Sequence, residues 1–320
     1  MNVKKKSILI VEYGTHIRLL THLFSMFEEK YYASICLNSR VKHHKDSESL
    51  PSNLSISYCN QFYFFFSLIF YARKYDYIYI ATGPDSNHFS ELFNVFFFYL
   101  YCVIHGKKTI LTMKNPILYI DVKFNFLNFL RHKSIGHVHR FTAETRTIIN
   151  KFGEKLNRKD ALLAKCHTLY SDLVSTGVLA DNNNIITIGL LGTINPYRRD
   201  YDLIINVLKK IKEEKRALIK FVRLGGMIGK SSHTILEKIS RYADIDRNEN
   251  DWVNRDQFDR AGKQCSILIS TLKEDRLYGV LKGSGSFGDA IYFKIPLIIP
   301  SHCDPCKEFS DISIYYKNEN

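Results

Sequence analysis

The segment from Tyr278 to Ala290 has the composition of a phosphate-binding loop, with four glycines and two serines. A helical pattern from Phe287 to Phe293 follows it. Small residues at a helix start expose backbone N–H groups, and the helix dipole adds positive potential there, so the segment predicts a diphosphate site. Asp289 falls in the predicted first turn, where its carboxylate can accept a hydrogen bond from a ribose hydroxyl. The alternative is a flexible loop before a well-capped helix. It is not a Walker loop, because Lys282 precedes the last three glycines.

Two adjacent arginines give a second candidate for anion chemistry. Arg198 and Arg199 follow the turn Gly192–Thr193 and stand at the start of a helical pattern from Asp200 to Lys212. Positive charge here can stabilise the negative charge that develops on a leaving phosphate. The alternative interpretation is a solvated helix start.

Small or polar residues follow three predicted strands of the first half. The carboxyl ends of parallel strands meet at one edge of a sheet, where such residues can meet an acceptor hydroxyl or a donor phosphate. Helix capping and loop solvation are the alternative roles. Gly14 and Thr15 follow the strand Lys6–Val11, Asp85 and His88 follow Asp76–Ala81, and Lys114 and Asn115 follow Thr109–Met113.

Strand and helix patterns alternate along the chain, which predicts βα units and parallel sheets. The polar stretch from Leu179 to Asn184 interrupts the alternation and has the composition of a linker. We therefore predict an α/β protein with two Rossmann-like doubly wound domains, residues 1–182 and 183–320, that face each other across a ligand-binding cleft. The other predicted strands are Ser34–Leu37, Gly136–Phe141, Ile185–Leu191, Leu218–Leu224, Ser266–Ser270 and Pro296–Ile299.

The basic character of the chain belongs to its first half. The 320 residues include 45 Lys and Arg against 32 Asp and Glu. Residues 1–160 hold 22 and 12 of these, a net charge of +10, whereas residues 161–320 hold 23 and 20, a net charge of +3. The first half is thus expected to face a phospholipid surface, a phosphorylated ligand or nucleic acid.

Two aromatic runs, Phe62–Phe66 and Phe96–Tyr101, stand out in this half. Both are too short to span a bilayer, so each predicts either a buried helix or a helix whose apolar face touches a membrane surface. The apolar stretch from Ile8 to Val11 is also too short for a signal peptide, and seven scattered cysteines give no disulfide framework. We expect a cytoplasmic protein.

Three segments resemble the donor domain of GT-B glycosyltransferases, close to the bacterial family 4-like (group 1) surface-polysaccharide sugar transferases. Ile188–Thr193 with Arg198–Asp202 is similar to the opening strand, loop and helix of that domain. Cys265–Ser270 is similar to the strand before the donor loop, and Lys282–Pro300 is similar to the loop and helix that lead into a K-x-P and an apolar strand. The resemblance covers residues 185–300 well and the first half only as a fold pattern.

The resemblance implies a transferase of the hexosyltransferase type that uses a UDP- or GDP-linked sugar and needs neither a metal nor a cofactor. The amides around Gly285, Ser286 and Phe287 would hold the diphosphate, and Asp289 matches the second acidic residue of an E-x7-E motif that contacts the ribose. The resemblance also implies catalytic roles for Arg198 and Lys282. Donor-binding roles are assigned to Gly192, Thr193, Arg199, Gly283 and Ser284. In the first half, position at the strand ends alone nominates Asp85 and His88 as catalytic candidates and Gly14, Thr15, Lys114 and Asn115 as acceptor-side residues.

The sequence departs from this family in three places. Leu281 stands where the first glutamate of E-x7-E belongs, and the loop Glu12–His16 lacks the usual paired glycines. The chain ends at Asn320, so the second domain is expected to be short at its C-terminal end. These differences leave open whether the transfer retains or inverts the configuration at the anomeric carbon of the sugar.

Short matches to metal patterns do not change this interpretation. Cys303–Cys306 is a lone C-x-x-C, and His137–His139 has no third ligand close in sequence. Asp244–Asp246 matches the D-x-D of metal-dependent GT-A enzymes, but it lies in a polar stretch and not at a strand end.

The function that we expect is transfer of a sugar to a lipid-linked glycan in O-antigen or capsule synthesis, at the inner face of the cytoplasmic membrane. A nucleotide-sugar epimerase shares the fold and is one alternative. A dinucleotide oxidoreductase is expected to have a G-x-G-x-x-G motif after its first strand, whereas only Gly14 is present there. A nucleic-acid-binding protein would also fit the charge, although no nucleic-acid-binding module is recognisable and we expect no such partner. A non-catalytic scaffold is a further alternative, given the expected short C-terminal end of the second domain.

Overall fold

The computed structural model divides into two compact units, Met1–Ser171 with Leu281–Gly283 and Asp172–Val280 with Ser284–Asn320. It describes residues 5–12, 24, 27–28, 30–38, 56–59, 64–82, 89–112, 126–157, 185–246, 251–274 and 277–317. The predicted domain boundary at residue 182 and the predicted linker lie outside these residues.

The first unit is built on a parallel six-stranded sheet in the order β3-β2-β1-β4-β5-β6. Its strands are β1 (Lys6–Glu12), β2 (Tyr31–Asn38), β3 (Ile56–Cys59), β4 (Tyr77–Thr82), β5 (Lys108–Thr112) and β6 (Arg140–Thr142). Its helices are α1 (Phe64–Ala72), α2 (Phe89–Ile104), α3 (Phe126–Gly136) and α4 (Arg146–Lys155).

The central strand of this sheet is buried on both faces. Leu9 and Val11 pack into one apolar cluster, whereas Ile8 and Ile10 pack into another. Successive side chains of a strand point to opposite faces, so an unbroken apolar run such as residues 8–11 is suited to a sheet covered on both sides.

The second unit repeats this plan with a parallel sheet in the order β12-β11-β10-β7-β8-β9. Its strands are β7 (Ile186–Leu191), β8 (Ile219–Leu224), β9 (Asp244–Asp246), β10 (Ile267–Ile269), β11 (Leu297–Pro300) and β12 (Ser313–Tyr316). Its helices are α5 (Asp202–Lys210), α6 (Glu213–Arg216), α7 (Gly229–Ser240), α8 (Arg255–Lys263) and α9 (Gly285–Phe293).

Both sheets have the strand order 3-2-1-4-5-6 when the strands of each unit are counted in sequence. This is the order of the Rossmann fold, so the prediction of an α/β protein with two Rossmann-like domains is confirmed. The order reverses between β1 and β4 in the first sheet and between β7 and β10 in the second. Ligands of such sheets bind at the carboxyl ends of the strands beside this switch point.

Three local predictions were wrong. Asp244–Asp246 forms strand β9, because Ile245 is buried between two exposed aspartates, so the segment is not simply a polar stretch. The strand predicted from Gly136 begins only at Arg140, since α3 continues to Gly136. The helix predicted from Phe287 begins two residues earlier, at Gly285.

The lone C-x-x-C belongs to a loop that is centred on an aspartate. The carboxylate of Asp304 is buried and accepts hydrogen bonds from the amides of Glu308 at 2.9 Å and Phe309 at 2.8 Å, and from the hydroxyl of Tyr315. Cys303 is buried beside it, whereas Cys306 is exposed. The aspartate therefore anchors the connection between β11 and β12.

The helix α2 has an apolar face on each side. Its inner face buries Val95, Phe98, Tyr99 and Cys102 in the core, while Phe97 on its outer side is 38% exposed. The run Phe96–Tyr101 thus belongs to a largely buried helix, as one of the two predictions held, and contact with a membrane stays a prediction. No helix among the described residues is long and apolar enough to cross a membrane.

Asp76 ties the starts of β1 and β4 together, and its removal should destabilise the first unit. Its Oδ2 accepts hydrogen bonds from the Ser7 amide at 2.8 Å and the Ser7 hydroxyl at 2.9 Å. These hydrogen bonds, the amide first, hold the pKa of Asp76 below its usual value, with help from Lys107 and Lys6. A depressed carboxyl pKa gives stability above the unfolded-state pKa, which is lost as the pH falls through the folded-state pKa.

We expect Asp76→Asn to lower the free energy of unfolding at pH 7 by about 1 kcal/mol, because solvent screening reduces the value of a charged hydrogen bond at an exposed carboxylate. The difference from the wild type should shrink as the pH falls below the ordinary aspartate value of 3.8. Urea unfolding at several pH values measures it. Glu154→Gln is the control, because it removes only an exposed ion pair with Lys151. Equal effects of the two variants at every pH would contradict the assignment.

Candidate functional site at the switch point of the second sheet

A buried arginine bridges the two strands at the switch point of the second sheet. Nε of Arg199 donates to the carbonyl of Thr193, just after β7, at 3.2 Å. Its Nη1 donates to Oγ of Ser270, just after β10, at 2.9 Å. The guanidinium therefore joins the carboxyl ends of the strands between which the strand order reverses.

Burial has the largest effect on the pKa of this arginine. Arg199 is 9% exposed, and desolvation lowers the pKa of its guanidinium, while the nearby oxygens of Tyr201 and Tyr278 act in the opposite direction. The same burial raises the pKa of Tyr201 to about 12. An arginine stays charged under these conditions, so a fixed positive charge lies inside the fold at the switch point.

The arginine is connected to the start of α9 through two serine hydroxyls. Oγ of Ser270 lies 3.0 Å from Oγ of Ser286 in the first turn of α9. Ser284 caps the helix, because its side chain accepts a hydrogen bond from the Ser286 amide at 3.3 Å. Gly285 is exposed, and a Cβ there would meet no atom within 4 Å, so the helix start has open space beside it.

Asp289 is the fifth residue of α9 and lies in its second turn, not in the first as predicted. The prediction failed because it placed the helix start at Phe287, whereas the cap is Ser284. Phe287 is buried and its ring stacks on Phe309 at 4.1 Å, so only its backbone can face a ligand.

The turn after β7 needs glycine for two reasons. Gly192 has a φ of +71°, and a Cβ at this position would lie 2.1 Å from Nη2 of Arg199. The turn after β8 packs directly against it, since a Cβ on Gly225 would lie 2.2 Å from the Gly192 carbonyl. Two neighbouring strands thus end in glycine turns that touch through their backbones.

Arg198 differs from its neighbour by being exposed. Both its Nε, at 3.1 Å, and its Nη2 donate to the hydroxyl of the buried Tyr278, and its guanidinium lies 5.8 Å from the Tyr278 ring centre. Because α5 begins at Asp202, the two arginines stand in the preceding turn and not in a helix start. Arg198 is held in place with its charge accessible to an anion.

The structure brings Gly192, Thr193, Arg199, Ser284 and Ser286 together in the second unit. Lys282 and Gly283 belong to the first unit. The candidates Gly14, Thr15, Asp85, His88, Lys114 and Asn115 all lie outside the described residues. Ser270 and Tyr278 are contacts of the site that had no predicted role, although Ser270 was recognised as the end of a predicted strand and Tyr278 as the first residue of the glycine-rich segment. Among the residues that the structure describes, no group of three or more His, Cys, Asp or Glu is arranged to hold a metal ion.

The chain matches no protein-family model and no curated protein sequence. Its fold matches Anabaena HepE in complex with UDP, with a TM-score of 0.63 and 10% identity, over 98% of this chain and 86% of that one. It also matches an alpha-glucosyltransferase in complex with UDP and DNA. The TM-score is 0.55 and the identity 9%, over 93% of this chain and 80% of that one. A third match is a protein described as a UDP-N-acetylglucosamine 2-epimerase from Listeria monocytogenes. The TM-score is 0.54 and the identity 8%, over 92% of this chain and 79% of that one. The chain therefore has the GT-B fold.

The glycine at position 192 gives a direct test of the arginine-centred site. Gly192→Ala should lower the free energy of unfolding of the second unit by about 1–3 kcal/mol, because it combines a positive φ with a clash against Arg199. Chemical denaturation followed by circular dichroism measures this loss. Gly285→Ala is the matched control, since its Cβ enters open space and should leave stability unchanged or slightly raised. Equal stability of the two variants would show that the turn tolerates a side chain.

Proposed function

We propose that the protein is a glycosyltransferase of the hexosyltransferase type that takes a sugar from a UDP- or GDP-linked donor. The observation that carries this is the chain of contacts from Thr193 through Arg199 and Ser270 to Ser286, which places a helix N-terminus at the switch point of a GT-B fold. A helix N-terminus beside a fixed positive charge suits a diphosphate. The fold neighbours that hold UDP are consistent with this donor class.

In this proposal the diphosphate binds at the backbone amides of Gly285–Phe287, where its oxygens replace Ser284 as the acceptor for the Ser286 and Phe287 amides. The turn Gly192–Thr193 approaches it from β7. Arg198, which Tyr278 holds in place, supplies the exposed charge that stabilises the leaving nucleotide diphosphate as the sugar–phosphate bond breaks. Arg199 is a positioning residue, because it is buried and its Nε and Nη1 already donate to Thr193 and Ser270. Asp289 accepts a hydrogen bond from the ribose, and Lys282 adds a second cation.

The first unit is proposed to bind the acceptor, a lipid-linked glycan of bacterial surface-polysaccharide synthesis. Asp85 and His88 are its proposed catalytic groups, with Gly14, Thr15, Lys114 and Asn115 beside the acceptor. Charge stabilisation by Arg198 and the helix terminus takes the place of a metal ion in this mechanism, so chelation should leave turnover unchanged.

Calorimetric titration of the purified protein with UDP and GDP tests the donor class first. Incubation of a panel of UDP- and GDP-sugars with polyprenyl-diphosphate-linked glycans, followed by mass spectrometry of the lipid fraction, then tests transfer. We expect one donor to add a single hexose to the acceptor. A changed sugar without any acceptor would indicate the epimerase, and no binding of either nucleotide would favour a scaffold.

Substitutions at the donor site should separate binding from chemistry. Arg198→Ala should lower kcat about 100-fold, the usual cost of losing one group that stabilises transition-state charge, with partial recovery in Arg198→Lys. Lys282→Ala should also lower kcat. Asp289→Ala should weaken donor affinity about tenfold, through loss of a charged hydrogen bond. Asp311→Ala removes an exposed carboxylate of the same unit and serves as the control; unchanged kinetics in all three site variants would remove the donor assignment.

The helices of the first unit support peripheral membrane attachment. Helix α2 packs against both α1 and α3, and each of the three presents an exposed phenylalanine, namely Phe70 at 67%, Phe97 at 38% and Phe129 at 49%. Arg73 and Lys133 lie 5.7 and 5.6 Å from the ring centres of Phe70 and Phe129. Aromatic side chains with adjacent cations suit the surface of an anionic bilayer.

The triple variant Phe70→Ser, Phe97→Ser, Phe129→Ser should bind vesicles of phosphatidylglycerol and phosphatidylcholine at least about tenfold more weakly, since each buried phenylalanine contributes roughly 1.5–3 kcal/mol. Co-sedimentation with vesicles measures the partition. Val207→Ser, which replaces an exposed apolar residue of α5, is the control. Loss of binding in Val207→Ser, or retention in the triple variant, would argue against attachment through these helices.

A further inference from the structure

The single tryptophan of the chain is unusually exposed for its size. Trp252 is 70% exposed, although its backbone is well anchored. Two residues later Asn254 caps α8, with its side chain bonded to the Gln257 amide and the Gln257 side chain bonded back to the Asn254 amide. A rigidly placed indole that faces solvent loses the free energy that burial would give it, unless a ligand covers it.

The indole lies on the glycine pair that ends β8. A Cβ on Gly226 would be 3.0 Å from Cε3 and 3.2 Å from Cζ3 of Trp252, so a side chain there would press against the indole ring. Asp251, the residue before Trp252, fixes the backbone that carries the indole. Its carbonyl accepts hydrogen bonds from the Met227 amide at 2.8 Å and from Nη1 of Arg223 at 3.2 Å.

This glycine pair adjoins the turn to which we assign the donor diphosphate. The Ile194 amide donates to the Gly226 carbonyl at 2.8 Å, and a Cβ on Gly225 would lie 2.7 Å from the Thr193 amide nitrogen. In the sheet, β7 lies between β10 and β8. A ligand whose diphosphate sits between the ends of β7 and β10 can thus extend over β7 towards the tryptophan beside β8.

We propose that Trp252 is the platform on which the nucleobase of the donor stacks, an inference that rests on the proposed function. A nucleobase has a flat π-face and is separated from its diphosphate by one ribose, which matches the order of groups at these strand ends. Stacking on an aromatic side chain tolerates different bases, so the platform adds affinity for both UDP and GDP. It adds none for inorganic diphosphate, which reaches only the turn and the helix terminus.

Because Trp252 is the sole tryptophan, its fluorescence reports directly on this contact. Titration of the full-length protein with UDP or GDP, with excitation at the red edge of tryptophan absorption, should quench the emission, whereas inorganic diphosphate should not. In calorimetry, Trp252→Ala should weaken UDP and GDP binding about 5- to 100-fold and leave inorganic diphosphate unaffected. Trp252→Phe should restore most of the affinity.

The outcomes separate this inference from the function beneath it. If UDP or GDP binds the wild type without quenching, and Trp252→Ala keeps the affinity, the platform is wrong while donor binding stands. If Trp252→Ala weakens inorganic diphosphate to the same extent, the tryptophan only supports the Gly226 turn and the inference is overturned. If neither nucleotide binds the wild type, both proposals fail.

Discussion

The second unit depends on one buried positive charge. The guanidinium of Arg199 is withdrawn from water, so every oxygen near it must be placed to compensate. Thr193 and Ser270 do this from the ends of two strands that are not consecutive in sequence. Because the charge tolerates little misplacement, the turn after β7, the end of β10 and the cap of α9 are fixed relative to one another before any ligand arrives. Preorganisation of this kind is what a site for developing negative charge requires.

The two units share a strand order but differ in what lies at the carboxyl ends of their strands. Among the described residues of the first unit, the hydroxyls of Tyr79 in β4 and of Thr112 and Thr142 at the ends of β5 and β6 form a buried cluster, with Tyr79 and Thr112 2.8 Å apart, and the buried carboxylate of Glu12 ends β1. In the second unit the equivalent edge carries a buried cation and an exposed one. The net charge of the chain has the opposite distribution, since most of it lies in the first half. The second unit therefore carries its positive charge at defined positions near the switch point, whereas the excess positive charge of the first half is spread over many residues.

The sequence predicted those parts of the fold that have a local cause. Strands such as β1 and β7 were recognised because an unbroken apolar run is needed wherever both faces of a sheet are covered. Short strands at the sheet edges, such as β9 and β12, were missed because they are half exposed and mix polar with apolar residues. The glycine- and serine-rich loop was identified correctly as a helix start, but its first residue depended on the cap at Ser284.

The site itself could be predicted only in part, for a different reason. The residues that hold its two arginines are far away in sequence, 71 positions from Arg199 to Ser270 and 80 from Arg198 to Tyr278. No periodicity or spacing encodes such pairs, because they arise from sheet order. Sheet order is also the reason why, of the two adjacent arginines, Arg199 is buried and Arg198 is exposed. Trp252 was overlooked since a single aromatic residue in a polar stretch has no pattern around it.

Strand β9 contains the D-x-D match, and its two aspartates have a physical consequence at the edge of the second sheet. It is the outermost strand on its side of the described sheet, it has only three residues, and Asp244 and Asp246 are both exposed on it. An exposed strand edge offers unpaired backbone groups to other chains, which is a route to aggregation. Two carboxylates on so short a strand repel a second copy that would pair in the same way, while Lys220 on β8 lies 3.8 Å from Asp244. The acidic pair therefore protects a sheet edge against self-association.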